Sequence, residues 1–145
     1  MGTRSLTKVM ETYTDKKGNE KREPITCMYR QYDGYLEGHG KDLAEWLSQY
    51  TVVNGMNPKE TRKIANGMDC LAAQMFAHFK EEAGNIYCMH PDSENCGEEY
   101  NYEIEKKNKQ IIITIHGVYS NKQLFHGDPA KLLEKIKIEL WIKKK

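Results

Sequence analysis

Residues 111–116, with the sequence IIITIH, constrain the fold more strongly than any other segment of the chain. Isoleucines at neighbouring positions make both faces of an extended strand apolar, because successive side chains of a strand point to opposite faces. A strand that is apolar on both faces lies in the interior of a sheet. The segment therefore predicts a central strand, which the rest of the chain must surround.

Segments with strand-like patterns flank this central strand, and short polar turns separate most of them. Residues 4–12 and 25–32 are predicted to form a hairpin around residues 15–19, where Gly18 suits a positive φ. Further strands are predicted at residues 85–90, 98–106 and 122–126. Because strands joined by short turns run antiparallel, we expect a mostly antiparallel sheet of about five to six strands.

Helical patterns occupy the middle of the chain. Residues 41–50 carry apolar side chains at a spacing of three or four, which predicts an amphipathic helix. A second helix is predicted to begin after Pro58 and to end near Gly84. Gly67 lies inside that stretch and disfavours a continuous helix by about 1 kcal/mol relative to Ala, so a division there is an alternative.

The last helix follows Asp128, whose carboxylate suits an N-cap, and Pro129, which suits the first helical position. The predicted order of elements is β-β-α-α-β-β-β-β-α. Helices that cover one face of a largely antiparallel sheet define an α+β fold. The length of 145 residues is usual for one domain, so residues 1–145 are predicted to form a single α+β domain.

Charge and composition exclude several classes of protein. Lys and Arg total 22 against 21 Asp and Glu, so bulk nucleic-acid binding is not expected. The sequence lacks an apolar run of about 18 residues, so neither a membrane span nor a membrane partner is expected. The four cysteines show no paired short spacing, and the first residues lack an apolar signal core. A reduced chain in the cytoplasm is therefore expected.

Residues 30–40 contain the densest group of side chains suited to binding. Gly34, Gly38 and Gly40 would let backbone N–H groups approach a ligand closely. The start of a helix after these glycines would favour an anion such as phosphate or carboxylate. Arg30 is suited to holding that anion through two parallel hydrogen bonds.

Aromatic and titratable side chains of the same segment complete the candidate site. Tyr32 and Tyr35 offer ring faces on which a planar base or a sugar can stack. Asp33 is suited to accepting a hydrogen bond from a ribose hydroxyl or an amino group. His39 titrates near neutral pH, so it would be the acid or base of an enzyme, with Asp33 orienting its ring.

A structural interpretation of these residues stands beside the functional one. Asp33-Gly34 is a common turn pair, and Asp33 suits an ion pair with Arg30. Gly38 and Gly40 suit the shape of a turn before a helix. The pattern has neither the lysine of a Walker loop nor the spacing of a dinucleotide-binding fingerprint, so it identifies no particular ligand.

Metal sites, cofactors and an assigned catalytic residue are not predicted. Cys88, His90 and Cys96 are three residues of metal-binding type, but the sequence places no fourth ligand and their spacing suits zinc poorly. A Ser-His-Asp or Cys-His site cannot be read from a sequence, because geometry defines it. His39 and Asp33 are therefore the catalytic candidates only if the protein is an enzyme.

Five short motifs resemble those of a known family. They lie at residues 2–7 (GTRSLT), 29–40 (YRQYDGYLEGHG), 65–68 (ANGM), 71–74 (LAAQ) and 96–100 (CGEEY). Up to about residue 104, the chain resembles a family of short, largely uncharacterised proteins of tailed phages, including cyanophages, and of some bacteria. In that family a proline usually stands where this chain has Leu36, which implies a less rigid turn here.

The resemblance implies a viral context and no particular activity. Arg4, Arg30, Asp33, Tyr35 and His39 are among the positions that the motifs share. Small viral accessory proteins often act against host defences by sequestering nucleotide signals. By that analogy, the resemblance implies an anti-defence protein of the host cytoplasm.

Three functions are predicted, in order of preference. The first is binding, without turnover, of a small anionic nucleotide-like ligand by a tyrosine face, the backbone of residues 38–40, Arg30 and Arg4. Arg4 and Arg30 would converge if their side chains shared a face of the hairpin. The second is inhibition of a host factor through a protein-interaction surface. The third is an enzyme acting on a nucleotide or another phosphorylated substrate. A homo-oligomer is also expected, because small-molecule sites often lie at subunit contacts.

Overall fold

The computed structural model describes residues 2–55, 59 and 63–144. In these ranges the elements are β1 (Ser5–Thr14), β2 (Glu20–Arg30), α1 (Lys41–Leu47), β3 (Thr51–Val53), β4 (Ile64–Asn66), α2 (Gly67–Phe79), β5 (Ile86–Met89), β6 (Tyr100–Lys107), β7 (Gln110–Gly117), β8 (Lys122–Gly127) and α3 (Pro129–Lys143). A π-helical turn, Leu36–Gly40, leads directly into α1. None of the described helices is long and apolar enough to cross a membrane.

Six of the strands form one mixed sheet in the order β5-β2-β1-β6-β7-β8. The pair β1 and β6 is parallel, and the other four pairs are antiparallel. β7 contains residues 111–116 and lies between β6 and β8, so the prediction of an interior strand is confirmed. The predicted α+β class and its antiparallel majority are also confirmed.

The first two strands form the predicted hairpin, and a local network of hydrogen bonds closes it. Asp15 Oδ1 accepts from the backbone N–H groups of Lys17 and Asn19, each at 2.9 Å. Gly18 adopts a φ of 83°, the left-handed region in which a side chain is disfavoured. The turn chemistry of the sequence is therefore sufficient to explain this connection.

The middle of the chain differs from the predicted pair of helices. Ile64–Asn66 is a strand that pairs in parallel with Thr51–Val53, and α2 begins only at Gly67, whose φ is 84°. The helix ends at Phe79 and not near Gly84. Each of the two added strands has three residues, too few for an alternating pattern to be visible in the sequence. The predicted start, somewhere after Pro58, borders residues 60–62, which lie outside the described part.

The core lies between one face of the large sheet and the helices. β1, β2, β6 and β7 contribute to it with alternate residues that share a face, including Val9, Met28, Tyr102, Ile104, Ile113 and Ile115. Asp128 caps α3 by accepting from Lys131 N at 2.9 Å, with Pro129 at the first helical position, as predicted. Because Arg30 is the cross-strand partner of buried Ser5, it too lies on the helix-covered face, at the end of β2.

Candidate functional site

Arg30 is held by three neighbours although it comes from the end of a strand. Its Nε donates to the carbonyl oxygen of Tyr32 at 2.7 Å, and its Nη1 lies 3.0 Å from Nδ1 of His39. The same Nη1 donates to Asp42 Oδ2 at 3.4 Å. The side chain is 11% exposed, so part of a well-oriented guanidinium still reaches solvent. A fixed guanidinium of this kind is suited to binding a carboxylate or phosphate group.

His39 lies behind Arg30 and is fully buried. Because a guanidinium only donates, Nδ1 must accept from Arg30, so the proton of the neutral ring is on Nε2 and is donated to Thr7 Oγ1, 2.7 Å away. Burial, and secondly the charge of Arg30, lower the pKa of His39 to about 3. The ring is therefore neutral at physiological pH and acts as a hydrogen-bond acceptor that orients Arg30.

Aromatic packing encloses the ring of His39. Its centroid lies 4.8 Å from that of Tyr102, edge to face, and 5.2 Å from that of Phe79. The hydroxyl of Tyr102 donates to the carbonyl oxygen of Gly34 at 2.8 Å. The loop before the π-helical turn is thus hydrogen-bonded to the core through β6.

The glycines of the segment serve internal packing and hydrogen bonding. Gly34 N donates to Thr3 O at 2.8 Å, and the N–H groups of Gly38 and Gly40 both donate to Tyr35 O. A Cβ on Gly38 would overlap the carbonyl oxygen of Asp33. These N–H groups were expected to donate to a ligand, but each of them already donates to a backbone carbonyl oxygen.

The backbone N–H group at the start of the predicted helix, which was expected to favour an anion, also has acceptors already. Residues 36–40, expected to be irregular, form a π-helical turn that continues into α1, and Lys41 N–H donates to carbonyl oxygens of that turn. Asp33, which precedes this turn, has a φ of 60°, in the left-handed region of the backbone. The expectation of an exposed helix N-terminus at residue 41 is therefore wrong, because the helical hydrogen bonds begin one turn earlier.

Tyr32, Asp33 and Tyr35 lie at the surface in front of the buried layer. Tyr32 and Tyr35 are exposed, and the hydroxyl of Tyr35 donates to Asp33 Oδ1 at 3.3 Å. Asn85 holds this loop, because its Oδ1 accepts from Tyr32 N at 3.1 Å. Both ring nitrogens of His39 are hydrogen-bonded, to Thr7 and Arg30, so Asp33 does not orient the ring as expected for acid/base chemistry.

Arg4 does not converge with Arg30. Its guanidinium lies against Gly97, where an added Cβ would come within 2.8 Å of Nη1. Its carbonyl oxygen accepts from Glu99 N at 2.9 Å, on the side of β1 that faces β6. Arg30 lies on the other side of β1, at the end of β2. The two arginines were expected to share a ligand if their side chains lay on the same face of the hairpin. They do not lie on the same face.

A groove of about 480 Å³ lies beside Arg30, and we call it the Arg30 groove. Its walls come from α1, from the end of α2 and from residues 81–86 before and within β5. Trp46 of α1 stacks on His78 of α2, with centroids 5.3 Å apart and an interplanar angle of 14°. Trp46 is buried and His78 is exposed, so one face of the imidazole is available beside the groove.

Carboxylates dominate the charge of the Arg30 groove. Asp42, Glu45, Glu81 and Glu82 all line it, whereas Arg30 supplies its positive charge. The sequence did not predict these four carboxylates as site residues, and it did not predict Trp46 or His78 either. The apolar spacing placed Trp46 in a core stripe, and no local pattern links α1 to α2 across more than thirty residues.

The cysteines and the comparisons add no further assignment. All four cysteines lie in the described part of the chain and are unpaired. Burial raises the pKa of Cys27 to about 11, so its thiol stays protonated. Among the described residues, no group of three or more His, Cys, Asp or Glu side chains is placed to hold a metal ion. Comparison of the chain with protein-family models, with curated proteins and with solved structures found no match.

Proposed function

We propose that the protein binds a small nucleotide-like ligand in the Arg30 groove without turning it over. In the context implied by the sequence motifs, it would be a phage-type accessory protein that sequesters a host signalling nucleotide in the cytoplasm. The observation that carries the proposal is the fixed guanidinium of Arg30 at the wall of a groove. Pre-oriented side chains lose little conformational entropy on binding, which increases affinity.

The aromatic side of the groove supports a planar group in the ligand. His78 already stacks on Trp46, and an exposed ring face beside a groove can stack on a base. Tyr32, tied to the groove residue Asn85, offers a second exposed ring. A ligand that combines an anionic group with a planar base matches these two features together.

The carboxylates of the groove restrict how much negative charge the ligand can carry. Four carboxylates line the groove beside one arginine, so each added phosphate charge meets net repulsion. Carboxylates also accept hydrogen bonds from amino groups such as those of nucleobases. We therefore expect a nucleotide with one phosphate group, linear or cyclic, to bind more tightly than a triphosphate.

Calorimetric titration with nucleoside monophosphates, cyclic mononucleotides and nucleoside triphosphates tests this proposal. We expect saturable binding of at least one single-phosphate nucleotide, and at least tenfold weaker binding by Arg30→Ala. Arg30→Lys tests the same contact with a smaller change, because it keeps the charge and removes the planar fork. Arg22→Ala is the matched control, since Arg22 pairs with Glu103 and Glu105 away from the groove. Absence of binding by every nucleotide, or unchanged binding by Arg30→Ala, would refute the proposal.

A second candidate, inhibition of a host factor through a protein surface, is favoured by the end of α3. Ile138, Trp141 and Ile142 are 52%, 58% and 60% exposed and follow one another at helical spacing. An apolar stripe of this kind is typical of a contact with another protein, which includes a second copy of the chain. Trp141→Asp would abolish such a contact and leave nucleotide binding unchanged. Sedimentation of the isolated protein separates self-association from a contact with a host factor.

A further inference from the structure

A second cavity lies on the face of the large sheet that the helices do not cover. The Arg30 groove lies on the opposite, helix-covered side. The second cavity has a volume of about 390 Å³ and is lined by residues of β1, β6 and β7 and by residues 93 and 94. Lys8 and Glu103 are cross-strand partners, and so are Asn101 and His116. Cross-strand partners point to the same face about 5 Å apart, so these four side chains form one polar patch.

Three side chains of this patch lack a hydrogen-bonding or ion-pairing partner in the described part of the chain. Lys8, Asn101 and His116 are each half-buried, and none of them makes a hydrogen bond or an ion pair there. Their neighbours on the same face are paired. Arg22 binds Glu103 and Glu105, and Thr114 Oγ1 lies 2.9 Å from His126 Nδ1. No other described side chain engages the donors and acceptors of Lys8, Asn101 and His116, so all three are free to bind a molecule that enters the cavity.

The polar groups of the cavity are mixed in type and do not favour an anion. Lys8 contributes a positive charge, whereas Glu94 and Glu103 contribute two negative ones. The amides of Asn101 and Asn121 both donate and accept. A ligand whose groups also donate and accept at once would satisfy this set, and hydroxyl groups do so. The size is at the small end of the range for ligand pockets, about 300–1,000 Å³.

We propose that this cavity is a second binding site, for a neutral polyhydroxylated molecule of about monosaccharide size, held by Lys8, Asn101 and His116. The site is independent of the function proposed for the Arg30 groove, because the two lie on opposite faces of the sheet. Neutral polar ligands of few atoms gain little free energy per contact against water. We therefore expect dissociation constants on the order of millimolar.

Two-dimensional ¹⁵N–¹H NMR titration of the full chain with glucose, galactose, mannose and ribose tests the proposal. The expected result is saturable shifts for at least one sugar, confined to amides around residues 8, 101 and 116. Asn101→Ala and His116→Ala should each weaken that binding at least fivefold. Gln123→Ala is the matched control, because Gln123 is the cross-strand partner of His116 but lies outside the cavity. The wild-type shift map keeps the test decisive if a variant fails to fold.

Three outcomes would overturn the proposal. They are the absence of saturable shifts with all four sugars, shifts located at the Arg30 groove, and equal binding by Asn101→Ala and Gln123→Ala. Inorganic phosphate is the fifth probe in the same experiment. Saturable shifts around His116 with phosphate and none with sugars would identify an anion site and exclude the polyhydroxylated ligand. Arg30→Ala should leave the sugar shifts unchanged, which separates this result from that of the nucleotide titration.

Discussion

Nη1 of Arg30 lies 3.0 Å from Nδ1 of His39, and this contact joins the end of a strand to the turn that precedes the first helix. It defines the chemical state of both residues. The histidine must be neutral to accept the hydrogen bond, and the arginine is oriented because the histidine is enclosed. His39 therefore positions Arg30 and stays neutral at physiological pH.

The first prediction concerns the pH dependence of stability. The pKa of His39 is about 3 in the folded protein, below the ordinary value of 6.5 that applies to the unfolded chain. Between these values the unfolded chain binds a proton that the folded protein does not, so acidification favours unfolding. His39 should contribute a loss of roughly 1.4 kcal/mol in the free energy of unfolding per pH unit as the pH falls from about 6 to about 4. Above pH 7 it contributes no slope.

Urea denaturation at several pH values measures this slope, and His39→Gln is the comparison because glutamine does not titrate. The difference in unfolding free energy between wild type and His39→Gln should shrink or reverse as the pH falls through this window. Parallel curves for the two proteins would show that the pKa of His39 is not lowered by folding.

The second prediction concerns Thr7, which accepts from His39 Nε2. Thr7→Val keeps the shape of the side chain and leaves a buried N–H without an acceptor, which should lower the free energy of unfolding by about 1–3 kcal/mol. Thr114→Val is the control, because its partner His126 is exposed and water can replace the lost bond. Equal losses in the two variants, measured by chemical denaturation, would contradict the assigned role of Thr7.

The third prediction separates two glycines of the π-helical turn. Gly38→Ala would place a Cβ against the Asp33 carbonyl oxygen, so we expect a loss of about 1–3 kcal/mol in the free energy of unfolding. Gly40→Ala meets its nearest neighbour, the Tyr102 hydroxyl, at 3.3 Å and gains helix propensity, so it should stay within about 1 kcal/mol of wild type. Thermal and urea unfolding of both variants measures the difference. A larger loss for Gly40→Ala would mean that the turn is shaped differently.

The fourth prediction concerns Leu36, a position at which the resemblance of the sequence motifs implies a proline. Leu36 is the first residue of the helical turn, and Tyr35 before it has φ −71° and ψ 169°, which a residue preceding proline adopts readily. The cost of Leu36→Pro should therefore come from lost packing, since Leu36 is buried. We expect it to destabilise no more than Leu36→Ala in parallel denaturation experiments. A loss more than about 2 kcal/mol greater for the proline variant would show that the backbone does not accept it.

Local chemistry explains which parts of the fold could be predicted from the sequence. Asp128 and Pro129 start α3 as predicted, and Gly18 closes the hairpin, because caps and turns depend on a few adjacent residues. The strands β3 and β4 were missed because three-residue strands carry no periodic signal. The alternative of a division at Gly67 agrees with the start of α2 there, but the strand before it depends on pairing with a segment more than ten residues away.

The candidate site was predictable only in part, for a related reason. Residue types in the segment 30–40 identified Arg30 as the side chain suited to an anion, and the structure places it beside a groove. Residue types do not reveal burial, so His39 was read as a titrating group and the glycines as ligand donors. The groove carboxylates and the Trp46–His78 stack come from helices that are distant in sequence, and nothing local connects them.

The sequence by itself determined the α+β class, the interior position of residues 111–116 and the segment in which residue types suited to binding are concentrated. These features follow from side-chain periodicity and local turn geometry, which act over a few residues. Only the tertiary structure decided that Arg4 lies apart from Arg30, that His39 is an enclosed acceptor, and that four carboxylates line the groove beside the guanidinium. Burial and charge at a site depend on which distant elements pack together, and strand order decides that packing.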